Sequence, residues 1–370
     1  MPANGSTGPV GVGLIGAGNI SEQYLDSLGR FPDLQVLFVA DLDTDRARAR
    51  AAKYDVPGAG SVDEFLARPD IEIAVNLTNP AAHVDLGLRA LSAGKHVWSE
   101  KPLGTDRESA RALLDHAKAS GLRLACAPDT VLGPGLQEAR RAIESGSIGR
   151  PLTAVTMMQG PGPDRWHPDP EFLFAAGGGP LFDIGPYYLT TLVCTLGPVS
   201  KVTAAASLAR RTRVIQAGPR AGTEFPVEVP THIGALIEFA GGQSAQCTFS
   251  FESGLSRDGL VEISGSDGTA VLPNPNNFDG TTSLWNGTTE PVQLASQPTF
   301  GGRGLGVLEL ARAIRAGRTE RASGELAYHV LDIMISIAES AEQHQSITVH
   351  STAEVPPVLP SDWDPLTSTL

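Results

Sequence analysis

The chain reads as an α/β protein whose amino-terminal part is a doubly wound parallel sheet, and three observations carry that expectation. Residues 10–15, VGVGLI, are an apolar run that gives way at once to GAGNIS and then to an amphipathic stretch from Glu22. Further apolar runs follow at 34–41, 71–78, 96–100 and 122–128, with helical spacing after those at 71–78 and 96–100. Strands alternating with helices join through right-handed crossovers into a parallel sheet. At 370 residues the chain can also bury a second core.

Each element has its own warrant. Gly16 and Gly18 let the first turn bring backbone N–H groups, with those of Asn19 and Ile20, against a pyrophosphate at a helix start, where the dipole favours anions. The third position of this glycine fingerprint is Ser21, still small enough for close helix–strand packing. The run LQVLFVAD closes on Asp41, 23 positions after Gly18 and near the ~20 at which an acid meets ribose hydroxyls. ADLD carries no arginine beside Asp41, although Arg46 follows a few residues on, so NAD is favoured over NADP. Ligands of such sheets bind outside the carboxyl ends of the strands. That edge receives Thr78-Asn79-Pro80, His83 at the start of the next helix, and Glu100-Lys101-Pro102, with Lys101 where a nicotinamide should lie. Asp129 and, more weakly, Thr130 follow the last strand as candidate contacts to a hydroxylated substrate.

Composition narrows the partners. Hydrophobic residues make up 41% and charged residues 19%, as in a globular protein. A net charge of −13 without a basic stripe argues against nucleic acid and anionic membranes and leaves a small molecule as the ligand. No apolar run reaches the ~18 residues of a membrane span. Three widely separated cysteines in apolar neighbourhoods read as buried thiols of a cytoplasmic protein, and the eight histidines show no metal-ligand spacing. The expected organisation is a disordered tail at 1–8, a dinucleotide-binding domain at 9–128, and a substrate and oligomerisation domain at 129–360.

In the second half, GPGPDRWHPDPEFLF (160–174) sets Trp166 beside His167 in a loop after a strand-like run. An aromatic beside hydrogen-bonding groups suits a sugar, whose apolar face stacks while its hydroxyls are bonded. FDIGPYYLTTLV (182–193) has helical spacing and puts Asp183 and Tyr187 on one face, with Pro186 in the first turn and Tyr188 pointing into the core. His232 lies in a strand-like run, at the substrate or covered by the sheet. Arg165 and ARRTR (209–213) leave an anionic substrate group open, though the latter reads as an exposed strand end or loop.

Three segments, VGLIGAGNIS (12–21), HVDLGLRALSAGKHVWSEKPLG (83–104) and GGGPLFDIGPYYL (177–189), resemble the glucose–fructose oxidoreductase / inositol dehydrogenase / MocA family, and the likeness continues through the late helix at 323–344. The resemblance implies a Rossmann domain followed by an α+β domain with an open-faced, largely antiparallel sheet, often the interface of a homodimer or homotetramer. It implies that Lys101 is the active-site lysine, that Glu100 orients the cofactor, and that Lys101–Pro102 is a candidate cis peptide. Asp183 matches the aspartate of the second-domain motif. Tyr187 stands where many relatives carry histidine, as in the glucose–fructose oxidoreductase and dihydrodiol dehydrogenase branches.

The implied activity is NAD-dependent hydride transfer from a secondary alcohol of a sugar, sugar derivative or inositol-like polyol. A phenol with a pKa of ~10 needs a cation to act as base, and Lys101 would supply it for Tyr187 while Asp183 bonds a neighbouring hydroxyl. His167 is the other candidate base. A redox-neutral NAD-dependent glycosidase and a non-catalytic NAD-binding sensor are the alternatives.

Overall fold

The computed structural model describes residues 8–296 and 299–370, so all of the expected tail except Gly8 lies outside the described residues. The first elements are β1 (Val10–Ile15), α1 (Asn19–Leu28), β2 (Leu34–Ala40), α2 (Thr44–Lys53), β3 (Ala59–Gly60), α3 (Val62–Leu66), β4 (Ile73–Asn76), α4 (His83–Ser92), β5 (His96–Ser99), α5 (Arg107–Ser120) and β6 (Leu124–Cys126). Then come α6 (Pro134–Glu144), β7 (Pro151–Gln159), α7 (Gly179–Leu196), β8 (Val199–Ser207), β9 (Thr212–Val214), β10 (Glu224–Pro226), β11 (His232–Phe239) and β12 (Ser244–Ser250). The last are β13 (Arg257–Gly265), β14 (Thr269–Val271), β15 (Thr281–Trp285), β16 (Val292–Ala295), α8 (Leu305–Ala316), α9 (Gly324–Gln343) and β17 (Ile347–Thr348).

The chain forms two compact units, one of residues 1–134, 298–328 and 356–370, the other of 135–297 and 329–355. The first holds a parallel sheet of order β3-β2-β1-β4-β5-β6, the dinucleotide-binding order. β1 and β4 are buried at every position because helices cover both faces, and so their sequences lack alternation. The register levels the strand ends: Ile15 pairs with Ala40 and Asn76, Asn76 with Ser99, and Ser99 with Cys126.

Residues 298–328 and 356–370 differ from the sequence expectation, which placed 129–360 together. Their contacts give the reason. Gly306 of α8 lies against the buried Trp98 indole, where a Cβ would overlap the ring. Phe300 packs edge-on against Phe31, with the Arg30 guanidinium 4.1 Å from its centre. Arg315 holds Glu72 through both guanidinium nitrogens at 2.7 and 2.8 Å. Such pairings join residues more than 200 positions apart, which local periodicity does not reveal.

The second unit is built on a nine-stranded sheet of order β16-β15-β14-β13-β7-β12-β11-β8-β17, in which β7 and β12 run parallel and the other neighbours antiparallel. β11 alternates buried and more exposed positions, as a one-sided sheet requires. α7 covers β7, β11 and β12. The opposite face leaves Val155, Leu236 and Trp285 more than a third exposed. α7 begins at Gly179, earlier than expected, so Pro186 lies inside it rather than in its first turn. Proline there removes the amide that would bond the Phe182 carbonyl. β9 and β10 form a separate two-stranded ribbon.

The carboxyl-terminal segment is tied to Asp33, a fully buried residue just before β2. Asp33 accepts hydrogen bonds from Arg312 Nε at 2.8 Å, from Ser368 and Thr369 hydroxyls, and from the Thr369 and Leu370 amides. Burial opposes its charge, but these donors, led by the Thr369 amide, outweigh burial and hold the carboxyl below its ordinary range. Asp33→Ala strands a buried arginine and is expected to cost about 3–5 kcal/mol in urea unfolding. The Asp33 contribution is complete above the ordinary carboxylate pKa and is lost as pH falls through the lower folded value, so wild type and variant converge in acid.

Candidate active site

The level strand ends bring the sequence-marked residues to one edge of the parallel sheet. Gly16 has φ +107°, and a Cβ there would sit 2.9 Å from the Leu77 carbonyl, so only glycine lets the turn pass this close to β4. Gly18 is the N-cap of α1, with no side-chain cap and open space where its Cβ would stand. The amides of the first helical turn, at Asn19 and Ile20, therefore begin a helix end suited to a phosphate. Ser21 is buried and its hydroxyl donates back to the Gly18 carbonyl at 2.6 Å.

Asp41 stands just past β2 and is nearly buried. It accepts from the Ala17 amide at 2.7 Å, the Asp43 amide at 2.9 Å and Arg46 Nη2 at 2.6 Å. Burial opposes its ionisation, but Arg46 and the two amides outweigh it and hold the carboxyl below its ordinary range. No arginine adjoins Asp41 in the chain, yet helical spacing in α2 swings Arg46 back onto it. The neighbouring Leu42 is 97% exposed, an apolar feature that the sequence reading missed.

Lys101–Pro102 is a cis peptide as expected, and Ala127–Pro128 is another. Glu100 is nearly buried, and both its oxygens serve the protein: Oε1 accepts from the Tyr24 hydroxyl at 2.7 Å, and Oε2 from the Lys101 amide at 3.1 Å. Thr78, half-exposed at the end of β4, donates its hydroxyl to Asn76 Oδ1 at 2.7 Å, while Asn79 is exposed beside it. Asn76 is buried and also bonds the His83 carbonyl, a loop-shaping role that its place at a strand end could have suggested.

Two candidates on this edge are internal instead. The His83 ring is buried, with Nδ1 2.7 Å from the Pro102 carbonyl and Nε2 2.9 Å from the Thr78 carbonyl. The ring therefore sits between the two loops, donating to one of these carbonyls at a time when neutral, and neither nitrogen faces outward for a cofactor. Burial pulls its pKa below the ordinary value, although both carbonyls favour the protonated ring. Asp129 is fully buried and accepts from the Gly304 and Gly306 amides at 2.8 and 3.3 Å, with Arg303 3.5 Å away. It caps α8 from a distant part of the chain and is not a substrate contact, because burial excludes one. Burial also pushes its pKa up, against the Arg303 charge.

The second unit contains a cavity of about 340 Å³ lined by Trp166, Asp183, Ile184, Tyr188, Phe251 and the loop 160–163, with Gln159, Ser256, Asp258, Asn274 and Asn276 adding polar groups. Asp183 and Trp166 are thus brought together as expected. Tyr187 is nearly buried on the same helix and is not among the lining residues; Tyr188 is fully buried, as expected of a core tyrosine, and forms part of the cavity wall. The Tyr188 oxygen accepts the Gly259 amide at 2.7 Å, and its ring meets Phe249 edge-on. Burial, together with the Asp258 charge, pushes Tyr188 up to about 12, so it stays a phenol.

Local backbone geometry builds this wall. The β13–β7 register shifts between Arg257 and Leu260, a bulge that presents Asp258 and the Gly259 amide. Gly259 has φ +83°, and a Cβ there would lie 2.6 Å from that of Asn274. Asn274 and Asn276 come from PNPNN between β14 and β15, which sequence alone reads as turns. Arg213 is buried rather than exposed: it donates to the Pro161 carbonyl, Asp164 and the Phe251 carbonyl at 2.6–2.9 Å, and pairs with Glu252 at 2.9 Å. It therefore pins the 160–164 loop. His167 also belongs to its loop: Nδ1 accepts the Asp169 amide at 3.0 Å and the ring sits between Trp166 and Phe172, so it does not line the cavity. His232 begins β11.

A family model described as an oxidoreductase family with an NAD-binding Rossmann fold matches residues 10–127, and one for the GFO/IDH/MocA C-terminal domain matches 136–271. The chain belongs to the GFO/IDH/MocA family. It is an oxidoreductase with an NAD-binding Rossmann domain, and its second domain is the family's. This GFO/IDH/MocA member is 29% identical to the trans-1,2-dihydrobenzene-1,2-diol dehydrogenase of Bos taurus over 71% of this chain and 74% of that protein. It is 29% identical to an uncharacterized oxidoreductase of Rhizobium meliloti over 91% and 98%. In fold it is similar to levoglucosan dehydrogenase in complex with NADH and L-sorbose, with a TM-score of 0.81 at 23% identity over 92% and 99% of the two chains. No helix among the described residues is long and apolar enough to cross a membrane.

Asp129→Ala separates capping from substrate contact. Loss of the buried acceptor is expected to lower stability by about 1–3 kcal/mol, read as a lower Tm. The KM of the folded variant for its alcohol should change less than about twofold, whereas a substrate contact would raise it selectively.

Proposed function

We propose that this protein oxidises a secondary alcohol of a cyclic, uncharged sugar, sugar derivative or polyol with NAD. The cavity of the second unit carries this reading: Trp166 and Phe251 line it together with Gln159, Asp183, Asn274 and Asn276, and among its described lining residues none is basic. That combination suits a ring with an apolar face and several hydroxyls and disfavours a phosphorylated one. The names of the bovine relative and of levoglucosan dehydrogenase support a cyclic hydroxylated substrate.

The residues at the carboxyl edge of the parallel sheet fit NAD: the Gly16–Gly18 turn and the α1 amides for its pyrophosphate, Asp41 for the adenosine ribose, Leu42 as an apolar rest for the adenine, and Thr78 and Asn79 toward the nicotinamide half. When bound, NAD supplies the hydride acceptor. Tyr187, one turn beyond Asp183 on α7, takes the proton of the reacting hydroxyl, Asp183 accepts a hydrogen bond from a neighbouring hydroxyl, and Lys101 is the active-site lysine. Trp166 stacks on the ring. Three free, buried cysteines support a reducing, cytoplasmic setting, and the open sheet face bearing Val155, Leu236 and Trp285 supports a homodimer or homotetramer.

The test is NADH formation on cyclic diols, free sugars, anhydrosugars, glycosides and inositols. Steady turnover is expected, with Lys101→Met and Tyr187→Phe each lowering kcat by about 100-fold or more. Retained activity in Tyr187→Phe moves the base elsewhere; hydrolysis of a glycoside without net NADH replaces the reading with redox-neutral cleavage, and NAD binding without any turnover replaces it with a sensor. Asp41→Ala frees Arg46 and removes the repulsion of a 2′-phosphate, so the ratio of kcat/KM for NADP to that for NAD should rise about tenfold or more. An unchanged ratio removes Asp41 from cofactor choice.

A further inference from the structure

We infer that Tyr24, a residue with no place in the glycine fingerprint, is a positioning residue for Lys101. It lies in the second turn of α1, the helix whose N-terminus is offered to the pyrophosphate, and its side chain is fully buried. Trp98 Nε1 lies 3.0 Å from the Tyr24 oxygen, and Glu100 Oε1 lies 2.7 Å from it on the other bond. An indole N–H can only donate, so the Tyr24 oxygen accepts from Trp98 and its own proton goes to Glu100. Glu100 Oε2 then accepts the Lys101 amide at 3.1 Å. The direction of the whole chain, from Trp98 through Tyr24 and Glu100 to Lys101, is thereby fixed.

The partner grip on the same turn is His83 Nδ1 at the Pro102 carbonyl, 2.7 Å away. The backbone that carries Lys101 is therefore held before and after its own side chain. Among the charged groups around Tyr24, Glu100 and Asp129 discourage loss of its proton and Arg303 favours it; burial is the largest influence, and together they hold the phenol well above its ordinary pKa. Tyr24 consequently remains a donor over the whole working range of pH. Because Tyr24 belongs to α1, the helix end that receives the dinucleotide and the turn that presents Lys101 share one buried hydrogen-bond chain.

This inference rests on Lys101 being the lysine of the proposed reaction. Tyr24→Phe keeps the buried ring and removes only the hydroxyl. With saturating NAD and alcohol, kcat should fall about tenfold, while the Kd for NADH, read by fluorescence, changes less than about twofold. In Glu100→Gln the same Tyr24→Phe change should add less than about twofold, because the link is already altered.

An unchanged kcat, or effects that multiply independently in the double variant, would overturn the role. Labelling of Lys101 by trinitrobenzenesulfonate, followed by mass spectrometry on NAD-loaded folded protein, needs no turnover. A changed Lys101 labelling rate in Tyr24→Phe supports the positioning role even if wild type oxidises no alcohol, an outcome that would defeat the proposed reaction alone. An unchanged rate overturns the positioning role.

Discussion

β1, β2, β4 and β5 stop level with one another, and that register governs most of the first unit's chemistry. Ile15, Ala40, Asn76 and Ser99 stand side by side as cross-strand partners. The next residues in each chain segment must leave the sheet at the same height. They are Gly16, Asp41, Thr78 and the Glu100–Lys101 pair, after intervals of one or two positions. A slip of one residue in any pairing would exchange the side chains packed against the two helical layers and lift one of these groups out of line. Packing between two helical layers enforces the register, because every position of β1 and β4 is buried.

Behind that edge, polar groups are used to hold loops rather than to meet ligands. His83 joins two strand-end loops, Asp129 caps α8, and Glu100 joins α1 to the Lys101 turn. Each is a buried polar group with its partners supplied by backbone or a neighbouring side chain, as low dielectric demands. The second unit repeats the strategy with Arg213, whose guanidinium gathers the Pro161 and Phe251 carbonyls with Asp164 and Glu252 behind the cavity wall. A preformed wall lowers the ordering cost of binding a small hydroxylated ring.

The extent to which this was legible in the sequence follows from the range of the interactions. The glycine turn, Asp41 and the Lys101 strand end are local patterns, and the structure places them as read. Trp166 and Asp183 meet in one cavity for the same reason, since each sits in a distinctive local setting. The attachment of 298–328 and 356–370 to the first unit depends on Trp98, Asp33 and Glu72, far away in sequence, and no periodicity marks it. Asn274 and Asn276 reach the cavity from the β14–β15 connection, opposite the β13 bulge that carries the left-handed Gly259, a three-dimensional coincidence. His83, His167 and Asp129 misled because a titratable residue near a functional edge looks the same in sequence whether it faces a ligand or anchors a loop. Tyr188 is the core tyrosine that its place on the helix suggested, buried with its oxygen on the Gly259 amide.

The proposed reaction removes a carbinol hydrogen as hydride. Its most direct measurement is mass spectrometry and proton NMR of NADH formed from levoglucosan and from trans-1,2-dihydrobenzene-1,2-diol deuterated at their carbinol carbons. Deuterium at C4 of the reduced nicotinamide, equal in amount to the oxidised product (a ketone from levoglucosan, catechol from the diol), is the expected result. Reduced cofactor without deuterium, or consumption of either compound with no reduced cofactor and no oxidised product, would contradict it.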